Sequence, residues 1–414
     1  MASKEFKKSF LWSANLEIIV KVCSFLLGLL VVRYITPEDL GNFYKIYAVI
    51  MLLNAFSSPG FFTVILSNDK FKTREFSDAA YTWDVFVANL LVFCIGLIVL
   101  PVVFNDIPYF YFLILLIPFF RAFQSSKNFE LQYDLNYKGV FNLKIIPRIS
   151  SLMITLVLLL LNFGVVSIII GEVFAQLSLT LLSKYKFRKN KLIFFSIEAK
   201  ELIRKGYFIF LSKILRSVRK DIDKLVTIPF ISPQIYAAVN VLDKPSNFLL
   251  TILRSTINKI SLPYLSKYQE KKTFNLNFIF ILFIVCELLA ISFLNIYVDE
   301  IVIFLFTSQY VSYSIFLIWG VKLGIIKYLN SYLFVHFSTD LKYSYEFFSG
   351  LFVLASVTIY AAFFWNYEYL SLIKFFIFIE YLVLFLLSFK LKSIISFWIV
   401  ILKIISILFL AFLL

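Results

Sequence analysis

Seven ionisable side chains crowd one stretch of a chain otherwise built for lipid. Between Arg204 and Ser232 stand Lys213, Arg216, Arg219, Lys220, Asp221, Asp223 and Lys224. The stretch falls where the seventh of about thirteen apolar segments belongs. A central charge in a transmembrane helix costs about 2.5–3.5 kcal/mol on insertion scales. Seven facing lipid would cost roughly 17–25 kcal/mol. The segment therefore faces water or protein inside a bundle and marks a polar pathway through the bilayer. At about 100° per residue, Lys213, Arg216, Lys220 and Lys224 fall within about 80° of one another. Asp221 and Asp223 flank this stripe. A guanidinium fork and ammonium point charges suit an anionic cargo. The competing reading is an interhelical ion-pair network that pins two halves of the bundle together.

Other charges lie inside apolar segments. Glu17 and Lys21 are spaced i,i+4 with the acid first, the favourable order for a pair, and could face the same cavity. Arg33 and Lys45 lie where snorkelling is cheap. Arg121 is deeper, three residues after Pro118, a candidate kink. Arg148 follows Pro147 toward the inner end of its segment. Asp243 and Lys244 precede Pro245, which frees backbone carbonyls in mid-segment. Arg254, Lys322, Lys327 and Lys374 add positive charge. The cavity set expected from these positions is Lys213, Arg216, Lys220, Lys224, Arg121, Lys21, Lys244, Arg254 and Lys322. Glu172, Asp243, Glu287 and Glu380 fall near mid-segment, and Asp223 edges the stripe. A mid-membrane carboxylate can bind H⁺ or Na⁺ and couple it to transport, or it can neutralise a nearby cation. The coupling candidates are Glu172, Asp223, Asp243 and Glu287.

These side chains need long apolar helices to hold them. The 414 residues are 61% hydrophobic with mean hydropathy +0.89, against about 45–50% apolar in soluble domains. The apolar runs are about twenty residues long, as a helical span requires, and do not alternate as barrel strands do. An all-α polytopic protein is expected, with spans near 10–34, 40–66, 79–104, 109–131, 144–162, 165–183, 205–230, 235–262, 277–298, 311–336, 346–365, 369–389 and 393–413. The basic start, Met1–Ser9, leads into a long apolar stretch without a small-residue cleavage site, so a first span is expected rather than a signal peptide. Cys23, Cys94 and Cys286 all sit in apolar segments and suggest neither disulfides nor a metal site. The single histidine, His336, reads as interfacial. With the N-terminus inside, the expected cytoplasmic connections hold twenty-two Lys and Arg and the outer ones none. This is a strong positive-inside pattern. It accounts for much of the +15 net charge as topology, not nucleic-acid binding.

An internal repeat divides the chain. Span one ends Tyr34-Ile35-Thr36-Pro37 and span seven ends Phe230-Ile231-Ser232-Pro233, an offset of 196 residues. Six spans per half keep both copies in one orientation, a transporter architecture. The expected divisions are an N-terminal lobe 1–183, a cytoplasmic linker 184–204, a C-terminal lobe 205–389 and an extra helix 390–414, two parallel pseudo-repeated lobes around a central cavity. Leu192–Ile203 in the linker reads as an amphipathic stretch on the membrane surface.

Phe10-Leu11-Trp12 and the turn Arg33-Tyr34-Ile35-Thr36-Pro37-Glu38-Asp39-Leu40-Gly41-Asn42-Phe43-Tyr44 resemble the polysaccharide-biosynthesis flippases of the Wzx type, MATE-like members of the multidrug/oligosaccharidyl-lipid/polysaccharide (MOP) superfamily. Asp221-Ile222-Asp223-Lys224-Leu225 with Ile231-Ser232-Pro233 is similar to that family's second-half stretch. Thr36 stands where Gly is commoner, and Gln234-Ile235-Tyr236 departs from the usual acidic-then-Gly pattern. The resemblance implies a non-enzymatic flippase that moves undecaprenyl-pyrophosphate-linked oligosaccharides to the outer leaflet of the bacterial inner membrane, for O-antigen, capsule or exopolysaccharide synthesis. It implies membrane lipids, a polysaccharide polymerase and chain-length machinery as partners. No cofactor is expected beyond a coupling H⁺ or Na⁺.

Three competitors are weaker. A polymerase or glycosyltransferase usually needs a sizeable outer loop, and here all are about a dozen residues or fewer, with no phosphate loop or His/Cys cluster. A drug/cation antiporter needs a neutral or acidic cavity. A peptidoglycan-precursor flippase would share the basic cavity but usually has more spans.

Overall fold

The computed structural model describes residues 2–57, 60–67, 73–105, 107–126, 131, 136–185, 191–244, 296–319, 351–360 and 369–388. Every regular element among them is helical. Helix α1 runs Ala2–Tyr34. A short turn leads into α2, Pro37–Ala55, where Thr36 Oγ1 accepts from the Asp39 amide at 3.2 Å. Pro37 sits at N1, where its missing N–H costs nothing, and Glu38 and Asp39 favour the positive helix end.

The continuous span expected at 40–66 is broken. Helix α2 ends at Ala55, and α3, Phe61–Ser67, begins after Gly60, whose φ is +91°. Ser57-Ser58-Pro59-Gly60 is a turn sequence. The amides that the break exposes are taken by a carboxylate from the next helix. Gly60 and Phe62 donate to the two Asp84 oxygens at 2.9 and 3.0 Å. Helix α4, Arg74–Val103, is the longest apolar helix and carries a π-helical stretch at Tyr81–Val87. That stretch holds the buried Asp84.

Helix α5, Tyr109–Ala122, is 3₁₀ as far as Leu115 and α-helical from Leu116. Pro118 thus lies just after a change of helix type, not at a kink in one long helix, and that helix ends at Ala122, before the non-helical residues 123–126. Helices α6, Tyr137–Leu160, and α7, Val165–Tyr185, match the expected spans closely and pack along one another, with α1 against α6. Among the described residues, three helices are long and apolar enough to cross a bilayer: Arg74–Val103, Lys138–Leu160 and Val165–Ser183.

Helix α8, Ile197–Thr227, begins at a Ser196 cap. It draws most of the expected surface stretch into one helix with the seventh span, and it kinks at Asp221 (φ −126°, ψ 19°). It packs against α2, α3 and α4, and also against the late helix Tyr369–Ser388. Residues 233–244, 296–305 and Leu351–Tyr360 are also helical. The main apolar core joins early and late helices, from Val31, Leu40 and Ile46 to Tyr236, Leu242 and Phe306. The expected helix 390–414 lies outside the described residues, as do Arg254, Glu287 and Lys322.

Candidate functional site

Interhelical ion pairs cross the interior among the described residues. Arg148 on α6 donates from Nη1 to Glu172 Oε1 on α7 at 2.8 Å, and from Nη2 to Ser24 Oγ on α1 at 2.6 Å. Arg219 on α8 clasps Glu380 of Tyr369–Ser388 with both edges of its guanidinium, Nε to Oε1 at 2.6 Å and Nη2 to Oε2. Lys224 donates to Asp243 Oδ2 at 2.7 Å. Arg148 lies near the middle of its helix, opposite the exposed stripe of Ile146, Ile149, Met153 and Val157. Its place is therefore mid-helix and not toward the inner end of the segment, because the helix begins at Tyr137, before the expected start at 144.

The span-seven stripe is modified by the backbone. Lys213, Arg216 and Lys220 stand on the described helix, while their side chains lie outside the described residues. The kink at Asp221 falls between them and Lys224, so straight-helix angles do not carry through to Lys224, which turns to Asp243. Arg219, left off the stripe, is buried in its pair with Glu380. Asp223 is buried beside Lys224 and within electrostatic reach of it, and Lys21 is half-buried on α1.

Other interior cations meet neutral partners among the described residues. Lys244 Nζ donates to the Tyr44 hydroxyl at 2.6 Å and sits 5.2 Å from its ring centroid, close over Gly28. Lys45 Nζ donates to the Ile231 carbonyl at 2.6 Å, near the Tyr236 ring. Arg121 Nε donates to Gln176 Oε1 at 3.3 Å, and Gln124 Nε2 donates to the same oxygen at 3.1 Å. Arg121, Arg148, Glu172 and Asp221 all act electrostatically on the Tyr47 hydroxyl.

Lys45, Tyr44, Arg148, Gln176 and Asp84 are contributors that sequence reasoning left out of the site. For Gln176 a signal existed: Glu172, Gln176 and Thr180 repeat every four residues on one face of an apolar helix. Lys45 had the same polar-in-apolar signal, but snorkelling explained it equally well.

The helical fold, with a charged interior joining early and late helices, is shared with solved transporters at low sequence identity. Solved structures with this fold include the lipid II flippase MurJ in an inward closed conformation (TM-score 0.68, 14% identity, 97% of this chain and 92% of that chain covered). They also include a multidrug resistance MATE family transporter in its inward-facing conformation (TM-score 0.60, 16% identity, 89% and 94% covered), and a MOP superfamily transporter from Pyrococcus furiosus (TM-score 0.63, 14% identity, 93% and 96% covered). No curated protein sequence matches the chain significantly. Residues 30–315 match the family described as "Polysaccharide biosynthesis protein", and the chain belongs to that family. Its fold is shared with solved membrane transporters, and three described helices are long and apolar enough to cross a bilayer.

Proposed function

We propose that this protein flips a lipid-linked, phosphate-bearing oligosaccharide from the cytoplasmic to the outer leaflet of the bacterial inner membrane, with its N-terminus in the cytoplasm. The observation that carries this reading is the set of three half-buried cations on neutral partners, Lys45, Arg121 and Lys244. Holding a cation in a low-dielectric interior is costly unless an anion shares the space for part of the cycle. An anionic headgroup passing through supplies that charge, and the family supplies the polysaccharide context. The cargo would feed O-antigen, capsule or exopolysaccharide synthesis.

In this proposal two lobes, 1–183 and 205–389, rock about the charged interior. Lys213, Arg216, Lys220 and Lys224 line the path together with Lys21, Arg254 and Lys322. Coupling to H⁺ or Na⁺ would use Glu172, Asp223, Asp243 or Glu287. A carboxylate held by Arg148 or Lys224 must exchange that partner to take up a cation, which ties uptake to a change in helix packing.

The test is translocation of a lipid-linked glycan in proteoliposomes, read by its protection from an added glycosidase. The wild-type protein is expected to move it, and the Arg216→Glu/Lys220→Glu variant to lose the activity while staying folded. A wild-type protein inert toward every lipid-linked glycan tried would sink the flippase reading. Full transport by the double variant would remove the span-seven stripe from the path. Transport indifferent to imposed pH and Na⁺ gradients would remove the coupling.

A further inference from the structure

We infer that the phosphoryl group of the cargo is gripped in the first half of the chain, by Arg121 held out on a two-glutamine bracket. The inference rests on the flippase reading above and names the contact that reading leaves open.

The argument starts from how each interior guanidinium is used. Arg148 spends both terminal nitrogens, one on Glu172 and one on Ser24. Arg219 is closed by Glu380. Arg121 is bound differently. Its only hydrogen bond among the described residues leaves from Nε to Gln176 Oε1, and Gln124 fixes that oxygen from the other side. The terminal fork, with four N–H donors, has no hydrogen-bond partner among the described residues. Of the carboxylates there, Glu172 alone acts on Arg121, and it is already paired with Arg148. A half-buried guanidinium anchored by one edge is prepared for a bidentate oxyanion.

The surroundings fit the same ligand. Gln176 stands one turn beyond Glu172 on α7, so Arg121 and Arg148 approach adjacent turns of one helix. That face of α7 lies well away from its exposed residues Ile170 and Leu181. Arg121 therefore meets the inner side of α7, within electrostatic reach of the Tyr47 hydroxyl, on which Arg148 also acts. A phosphate or diphosphate at Arg121 meets a guanidinium fork, with the charge of Arg148 on the adjacent turn of α7. Lys224 of the span-seven stripe is, by contrast, neutralised by Asp243. The bracket has a stated role as well. Gln176 is a positioning residue: a neutral acceptor orients the guanidinium, whereas a carboxylate there would occupy it.

The experiment uses the full chain in phosphatidylcholine nanodiscs, with inorganic pyrophosphate, a polyprenyl pyrophosphate and added phosphatidylglycerol as probes. Both pyrophosphates are expected to bind the wild-type protein. Arg121→Gln is expected to weaken them at least about tenfold, the worth of a charge-assisted bond. Gln176→Glu is expected to lose binding to the same extent while its thermal midpoint holds or rises, because the new carboxylate pairs with Arg121. A residue of merely structural importance would lower both together. Lys200→Gln, at an exposed position outside the site, should leave pyrophosphate binding within about twofold, well below the roughly tenfold worth of a charge-assisted contact. Equal displacement by phosphatidylglycerol supports the oxyanion site and assigns it to bulk lipid phosphate. Unchanged affinity in both Arg121→Gln and Gln176→Glu overturns the site, as does a wild-type protein that binds neither pyrophosphate. The two readings separate in the transport assay: an Arg121→Gln protein that flips lipid-linked glycan at the wild-type rate removes this site and leaves the flippase standing.

Discussion

Arg219 and Glu380 show what a single pair of side chains can be worth in this interior. Both are buried, and the guanidinium meets both carboxylate oxygens. Removing one partner leaves an uncompensated buried charge, at a cost of about 3–5 kcal/mol, whereas replacing both with apolar side chains is often neutral. Glu380→Ala is therefore expected to lower the unfolding midpoint in mild detergent sharply, and Arg219→Leu/Glu380→Leu to recover most of the loss. Equal destabilisation by the single and double variants would mean that the pair contributes through shape and not charge. At this scale the sequence was half legible. It marked Arg219 and Glu380 as charges that lipid could not tolerate, but their partnership spans 161 residues and depends on which helices meet. The same holds for Lys244 and Tyr44, two hundred residues apart. Residue type announces that a charge needs a partner; only packing chooses it.

Helices show both what the sequence predicts well and where it fails. Thr36-Pro37 and Ser232-Pro233, read from the sequence as the ends of spans one and seven, each open a following helix: Thr36 Oγ1 accepts from the Asp39 amide, and Ser232 Oγ accepts from the Ile235 amide at 3.4 Å. The two turns also meet. A Cβ built on Gly41 would lie 1.9 Å from the Pro233 carbonyl oxygen, so backbone touches backbone where Lys45 reaches Ile231. Any side chain at position 41 must push this seam apart. Overpacking costs about 1–3 kcal/mol, which biases a two-state equilibrium by roughly five- to 150-fold. Gly41→Val is thus expected to disfavour the arrangement with this seam closed. Its signature would be slower translocation together with greater thiol reactivity of a cysteine introduced at Gln234. Wild-type transport and unchanged labelling would show that the contact is dispensable. The break in the second span was missed for a different reason. Hydropathy averaged over a full span hides a turn a few residues long, and the carboxylate that stabilises the turn arrives from the following helix.

For the whole molecule, composition and run length sufficed to give an all-α membrane protein, because backbone in lipid has few solutions. Which helices cross, break or bend was not available from periodicity, since lipid-facing and buried apolar residues look alike. Orientation is a separate matter and rests on the distribution of Lys and Arg. In a cysteine-free background, Glu38→Cys is expected to react with an impermeant thiol reagent from outside intact cells, and Lys191→Cys only after the membrane is opened. The reverse pattern would invert the topology and, with it, the proposed direction of transport.

Asp84 carries a last consequence, for the order in which the chain enters the bilayer. The amides of Gly60 and Phe62 have their acceptor 24 and 22 residues later in the chain. As the second apolar segment leaves the ribosome, that acceptor is still inside the exit tunnel, and exposed amides in hydrocarbon cost several kcal/mol. Segments two and three must therefore settle as one unit, the first waiting at the translocon or the interface until the second brings its carboxylate. The buried aspartate is in this sense a timing device, setting the smallest piece of the protein that can be released into lipid at one step.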